Sequence, residues 1–169
     1  LAVGIFLMVE KKQTEQKSHR KVWIIYAVLS AVFAALTSVL AKAGIASISF
    51  DFNAHGKSEG KFIDMTIANE ISDAKAVFEY VKTLPYVTEI GFAGHSQGGV
   101  IAGMLAGELE DDPRKPACMV LLAPAAVLKD DAIAGQCMGK KYDASNPPEY
   151  VSVMLHKIGR KFILAAQKL

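Results

Sequence analysis

Gly94-His95-Ser96-Gln97-Gly98 constrains the fold more than any other stretch of this chain. It follows a short apolar run containing Ile90 and Phe92, and it opens a segment with helical character. A serine between a strand and a helix needs a very tight turn, which lifts its hydroxyl clear of the sheet. Residues two before and two after the serine must then be small. Gly94 and Gly98 meet that demand, and Gly99 adds room. The start of a helix favours negative charge that develops nearby. Ser96 is therefore the candidate nucleophile, and the Gln97 backbone N–H is a candidate oxyanion donor. His95 is adjacent to Ser96 but points elsewhere in such a turn. No GK[ST] follows the motif, so it is not a nucleotide-phosphate loop.

The chain around the motif alternates between strand-like and helix-like runs. Residues 44–50 read as a strand, followed by a loop with Asn53, Gly56, Ser58 and Gly60. From about Asp64 to Thr83, Ile67, Ile71, Ala74, Phe78 and Val81 recur at spacings of three and four, which predicts a helix. Pro85 ends it. Residues 89–93 predict a second strand, 97–109 a second helix and 117–122 a third strand. This alternation implies a parallel sheet with right-handed crossovers, which binds ligands beyond the carboxyl ends of its strands. Residues 127–146 read as irregular. Residues 149–169 read as a helix, with Val151, Met154, Leu155, Ile158, Phe162 and Ala165 on its apolar face, Asn146 as its N-cap and Pro147 at its first position.

The N-terminal end has a different character. Residues 1–43 hold six Lys/Arg and two Asp/Glu, against 13 and 15 in the remainder. Residues 22–41 carry no charge between Lys21 and Lys42. Twenty such residues match the thickness of a bilayer core, roughly 30 Å as a helix. Trp23 and Tyr26 stand where interfacial aromatics would, and Ala27, Ala31 and Ala35 give small-xxx-small spacing. The same stretch also suits a helix buried in a globular fold. The chain begins on Leu1 inside an apolar run and reads as a fragment or processed piece.

Charge and cysteine content narrow the class further. A formal net charge of +2 argues neither for nor against a nucleic-acid partner. Cys118 and Cys137 form no CxxC and no Cys/His cluster, so they read as reduced apolar residues. No metal and no cofactor is implied.

Three pieces carry a family resemblance: LAKAGIASISFDFNAHGKSEGKF, GHSQGGVIAGMLAGEL and VLLAPAAVLKDDAIAG. In that order they resemble the α/β-hydrolase superfamily, and within it bacterial cinnamoyl/feruloyl esterases. The resemblance implies a partial α/β-hydrolase fold, with a parallel sheet, flanking helices and the start of a lid, preceded by an apolar helical leader. The implied organisation is a leader over 1–43, a hydrolase core with the elbow over 44–126, and a lid-like helical insertion over 127–169. In such enzymes Ser96 would attack an ester carbonyl and form an acyl-enzyme that water then releases. A small-molecule ester is the implied partner. Tyr142, Tyr150 and Met154 would suit an aromatic acyl group, and core packing explains them equally.

The resemblance also exposes departures. Relatives usually have Gly at position 54; if that position needs positive φ, Ala54 costs stability. His55 reads as a buttress of the 51–58 loop rather than a base. The family's acid and base follow the nucleophile on loops after two further strands, and this chain is expected to lack them. His156, the only histidine after Ser96, is the remaining candidate base. It falls on the polar side of the predicted last helix, with Asp143 as the tempting partner. The second oxyanion donor would come from a His-Gly-rich loop, yet residues 10–41 contain no glycine. Residues 7–45 resemble a piece of an EamA-type drug/metabolite transporter. A membrane-transport fragment is therefore one alternative function, and a non-catalytic binding module that keeps the cleft is another. A cytoplasmic setting is expected for the hydrolase part, with membrane association through residues 22–41.

Overall fold

The computed structural model describes residue 39 and residues 42–153 and 156–169. The chain divides into two compact units, Leu1–Ser49 and Phe50–Leu169. In the first, the Ala43 N–H donates to the Val39 carbonyl at 3.1 Å, and Gly44 turns out of that helical turn at a φ of 74°. Residues 45–49 are exposed and form no strand, although residues 44–50 were expected to do so. An apolar β-branched run becomes a strand only when a neighbour supplies a ladder, and no described residue pairs with it. The expected apolar span at 22–41 lies outside the described residues. Among the described residues, no helix is long and apolar enough to cross a membrane.

The second unit is built around a β–α–β crossover. Helix α1 (Ile67–Lys82) comes first, then strand β1 (Gly91–His95), helix α2 (Gln97–Glu108) and strand β2 (Cys118–Leu122). β1 and β2 pair in parallel, from Gly91 opposite Cys118 to His95 opposite Leu122. The parallel sheet with flanking helices is thus present, with strand and helix bounds within a few residues of expectation. Thr66 caps α1: its hydroxyl oxygen accepts the Asn69 N–H at 3.2 Å and its O–H donates to Asn69 Oδ1 at 2.7 Å. Such a cap stabilises a helix by about 1 kcal/mol. Ile67, Ile71 and Phe78 of α1 are buried, as their spacing predicts, with Ile101 and Leu105 of α2 in the same core.

The C-terminal third differs from the sequence reading. Helix α3 (Leu128–Ile133) is followed by a hairpin of β3 (Gln136–Cys137) and β4 (Lys140–Lys141). Its two turn residues, Met138 and Gly139, have φ of 46° and 80°. Positive φ at both central positions is the geometry that matches the strand twist in a two-residue hairpin. Residues 149–169 do not form one helix. They form a second hairpin, β5 (Tyr150–Val153) with β6 (His156–Gly159), and then helix α4 (Arg160–Ala166). Asn146 and Pro147 accordingly start no helix. Val151 and Val153 are buried with Ser152 exposed between them, a period of two that overrides the looser period of 3.6. Gly159 packs so closely on the backbone of Ile63 that a Cβ there would meet its carbonyl group.

Candidate active site

The strand-to-helix turn has the geometry that its sequence demands. Ser96 sits at φ 54° and ψ −121°, a conformation that ordinarily selects glycine. Backbone hydrogen bonds hold it there. The Ser96 N–H donates to the Leu122 carbonyl at 3.0 Å, extending the β1–β2 ladder into the turn. The Ser96 carbonyl accepts from Gly99 N at 3.0 Å, Val100 N at 3.4 Å and Ala125 N at 2.9 Å. The serine side chain makes no capping bond to the first turn of α2, and the residue is exposed. Its hydroxyl is therefore not consumed by the fold. Gln97 is the first residue of α2, so its N–H belongs to the group that a helix start leaves without intrahelical partners.

The three glycines of the turn are not equivalent. A Cβ at Gly94 would collide with the Gly98 carbonyl oxygen and stand 2.7 Å from Gly99 N. A Cβ at Gly99 would stand 3.0 Å from the Pro124 side chain. A Cβ at Gly98 would meet nothing within 4 Å. The expectation that Gly98 must itself be small is thus corrected: the turn needs its backbone, which packs under Gly94, rather than the absence of its side chain. His95 closes β1 opposite Leu122 and is half-buried.

The loop over residues 51–60 is bound together by its own polar groups. Asp51 Oδ2 accepts the Lys57 N–H at 3.0 Å, and Ser58 Oγ donates to the Asp51 carbonyl at 2.8 Å. The Asn53 N–H donates to Asp73 Oδ2 of α1 at 2.7 Å. Ala54 has a φ of 64°, so the position does take the left-handed conformation at which relatives were expected to carry Gly. His55 Nδ1 lies 3.0 Å from the Asn53 carbonyl, and its ring meets Phe62 edge-on at 5.0 Å.

Glu70 escaped the sequence reading altogether. It is 2% exposed and sits in the core of α1. Gln97 Nε2 donates to Glu70 Oε2 at 2.5 Å, and His55 Nε2 approaches Glu70 Oε1 at 3.9 Å. Burial pushes the Glu70 carboxyl above the usual carboxylate range, while the Gln97 hydrogen bond and the nearby His55 draw it back. No spacing in the sequence marks this residue, because Glu70 lies between Ile67 and Ile71 on a face that periodicity assigns to apolar groups.

The candidate base is placed differently from expectation. His156 begins β6 rather than lying on a helix, is exposed, and stacks on Phe62 with ring centroids 4.4 Å apart and planes 27° apart. Asp143 Oδ1 accepts from Ser145 Oγ at 2.6 Å and Ser145 N at 2.9 Å, and these bonds hold its carboxyl below the usual range. Tyr142 O–H lies 3.4 Å from the Ala132 carbonyl, and Lys157 Nζ sits 4.0 Å over the Tyr150 ring. The side chain of Met154 lies outside the described residues.

Comparison with known proteins places this geometry. The family described as serine aminopeptidase, S33, matches residues 26–159. That match begins inside the apolar run, so the hydrolase family accounts for much of the stretch that resembles a transporter; nothing supports the transporter resemblance. The solved structure of ferulic acid bound to Est1E from Butyrivibrio proteoclasticus is 33% identical, with a TM-score of 0.76 over 80% of this chain and 54% of that one. The crystal structure of a protein from Agrobacterium vitis S4, described there as a hydrolase, is 27% identical, with a TM-score of 0.62 over 79% of this chain and 53% of that one. The chain therefore spans about half the length of these solved structures. No curated protein matches it.

Proposed function

The chain belongs to the serine aminopeptidase S33 family of α/β-hydrolases, and from that premise we propose that it is a serine-dependent carboxylic ester hydrolase of the feruloyl-esterase kind. The observation that carries this reading is Ser96, exposed and held at φ 54° and ψ −121° between a parallel strand and a helix start. The ferulic acid in the Est1E structure supports an ester of an aromatic acid as the substrate class. In this reading, the Ser96 oxygen attacks the ester carbonyl and its proton passes to a base. The tetrahedral oxyanion faces the Gln97 N–H, the alcohol leaves with a proton, and water then releases the acid from the acyl-enzyme.

The reading rests on Ser96 and the Gln97 N–H and assigns no acid–base pair. The stacking of His156 on Phe62 and the engagement of Asp143 with Ser145 support leaving both out of it. Loss of triad members lowers turnover by factors of about 10⁴–10⁶ in model proteases. Whichever group takes the Ser96 proton therefore carries an effect of that size on turnover. Residues 127–169 are proposed as part of a lid over the acyl group. The reading needs no metal and no cofactor, and a small-molecule ester is its partner.

Labelling with a fluorophosphonate probe tests the proposal. The expected result is labelling of the chain that disappears in Ser96→Ala. Equal labelling of both, or none from protein shown to be folded by circular dichroism, overturns Ser96 as the nucleophile. Tight binding of a ferulate ester without any labelling would instead favour the non-catalytic binding module.

A further inference from the structure

A buried carboxylate is costly unless its oxygens find partners, so its presence inside a small core calls for a reason. Glu70 finds partners on two different segments. Oε2 accepts from the Gln97 side chain at 2.5 Å, and Oε1 faces His55 of the 51–60 loop at 3.9 Å. One turn further along α1, Asp73 takes the Asn53 N–H of the same loop at 2.7 Å. Helix α1 thus holds the loop through two carboxylates, but it reaches the elbow through one. Gln97 Nε2 also has Met65 Sδ at 3.9 Å, so two neighbours restrain the same amide nitrogen. The side chain next to the nucleophile is thereby fixed by groups that have no part in bond making.

We infer that Glu70 is a positioning residue: by holding the Gln97 side chain it fixes the first turn of α2, and with it the direction of the Gln97 backbone N–H beside Ser96. The inference rests on the ester-hydrolase reading above. An oxyanion donor is useful in proportion to how well it is aimed before the charge develops. Gln97 is the first residue of α2, where a helix is least restrained by its own hydrogen bonds. A side-chain anchor at this position therefore does what the helix ladder cannot. His55 completes the support from the loop. Its Nδ1 lies 3.0 Å from the Asn53 carbonyl and its Nε2 stands 3.9 Å from Glu70 Oε1, so this ring bridges the loop and the buried carboxyl.

The test uses the full chain and the same fluorophosphonate probe, with the labelling rate resolved into a maximal inactivation rate and an apparent binding constant. Signals are normalised to the folded fraction. Glu70→Ala is expected to lower the maximal rate about 10- to 100-fold, with little change in apparent binding, because misplaced groups slow bond making rather than encounter. Glu70→Gln keeps an acceptor for Gln97 Nε2 and is expected to stay within about threefold of the parent chain. Gln97→Ala retains both Glu70 and the backbone N–H, so it should reproduce the Glu70→Ala loss. The double variant should be no slower than the worse single one. A merely structural role would change the folded fraction and leave the normalised rate alone. Normalised rates within twofold of the parent in Glu70→Ala, or multiplying losses in the double variant, overturn the inference. Should Glu70→Ala not fold, an unchanged rate in Gln97→Ala overturns it equally. Absence of Ser96-dependent labelling in the parent chain brings down the hydrolase reading, and this inference with it.

Discussion

Ser96 and Ala54 both sit at positive φ, 54° and 64°, yet the chain around them is built differently. At Ser96 the backbone is bonded on both sides, to Leu122 by its N–H and to Gly99, Val100 and Ala125 by its carbonyl. Glycine backbone packs beneath it, and a proline packs against Gly99. At Ala54 the N–H donates to the Glu59 carbonyl at 2.7 Å, and the loop is otherwise tied down through its neighbours. Glycine would suit both positions better. On the proposed function the elbow cannot accept it, because the Ser96 hydroxyl is the proposed nucleophile. The loop carries only a methyl group there. Strain at a position proposed to keep a reactive hydroxyl thus differs from strain that a substitution can relieve.

The largest effect should come from breaking the support under Ser96. Gly94→Ala puts a methyl group onto the Gly98 carbonyl, and backbone cannot step aside as a flexible side chain can. The expected destabilisation is at least about 3 kcal/mol, with loss of Ser96 labelling. Gly98→Ala is the paired control. It meets open space, lies within α2, and should change stability by less than about 1 kcal/mol, in the stabilising direction. Urea midpoints of the two variants check this directly. Equal losses would show that the motif tolerates no side chain for a reason other than the Gly94–Gly98 contact.

A smaller effect separates strain from chemistry at Ser96 itself. Ser96→Ala and Ser96→Gly both remove the hydroxyl, but only the second relieves the backbone. Strain of about 1–3 kcal/mol, less the roughly 0.5–1 kcal/mol of flexibility that glycine adds to the unfolded chain, leaves between about 0 and 2.5 kcal/mol in favour of Ser96→Gly, centred near about 1 kcal/mol. Thermal or urea unfolding of the two variants measures it. Equal stability would mean that the surrounding hydrogen bonds make the conformation costless.

The same contrast explains what could be read from the sequence. The elbow was legible because each signal was local: an apolar strand, small residues at fixed offsets, and a helix start. Helix α1 was legible because Ile67, Ile71 and Phe78 share one face. Residues 149–169 depart from the helix their sequence predicts because apolar residues at 151, 154, 155, 158 and 162 fit a helical face, and that pattern hides the Val151–Ser152–Val153 alternation that pairing makes decisive. The 136–141 hairpin was missed because only one of its two turn residues is a glycine; Met138 takes positive φ against its own preference. Residues 44–50 were read as a strand on composition, but a strand also needs a ladder partner, which composition does not supply. Glu70 was invisible for a related reason. Its role depends on Gln97, 27 residues away, and on His55, and no periodic pattern connects the three.

The smallest predicted effect belongs to the loop. Ala54→Gly removes a Cβ from a left-handed residue, a conformation that costs an L-amino acid about 1–2 kcal/mol. The added freedom of glycine in the unfolded chain takes back part of that gain, so about 0.5–1 kcal/mol of stabilisation remains. The substitution leaves every hydrogen bond of the loop in place, including Asn53 to Asp73 and His55 to Asn53, because none of them uses the Ala54 side chain. Ser96 labelling, normalised to folded protein, should therefore be unchanged while the urea midpoint rises. A fall in the midpoint would show that the Ala54 methyl group packs usefully, and the two turns would then be alike in needing their side chains. A rise accompanied by faster labelling would mean that the loop and the elbow are coupled, and the route between them through His55 and Glu70 is the one that the Glu70 variants probe.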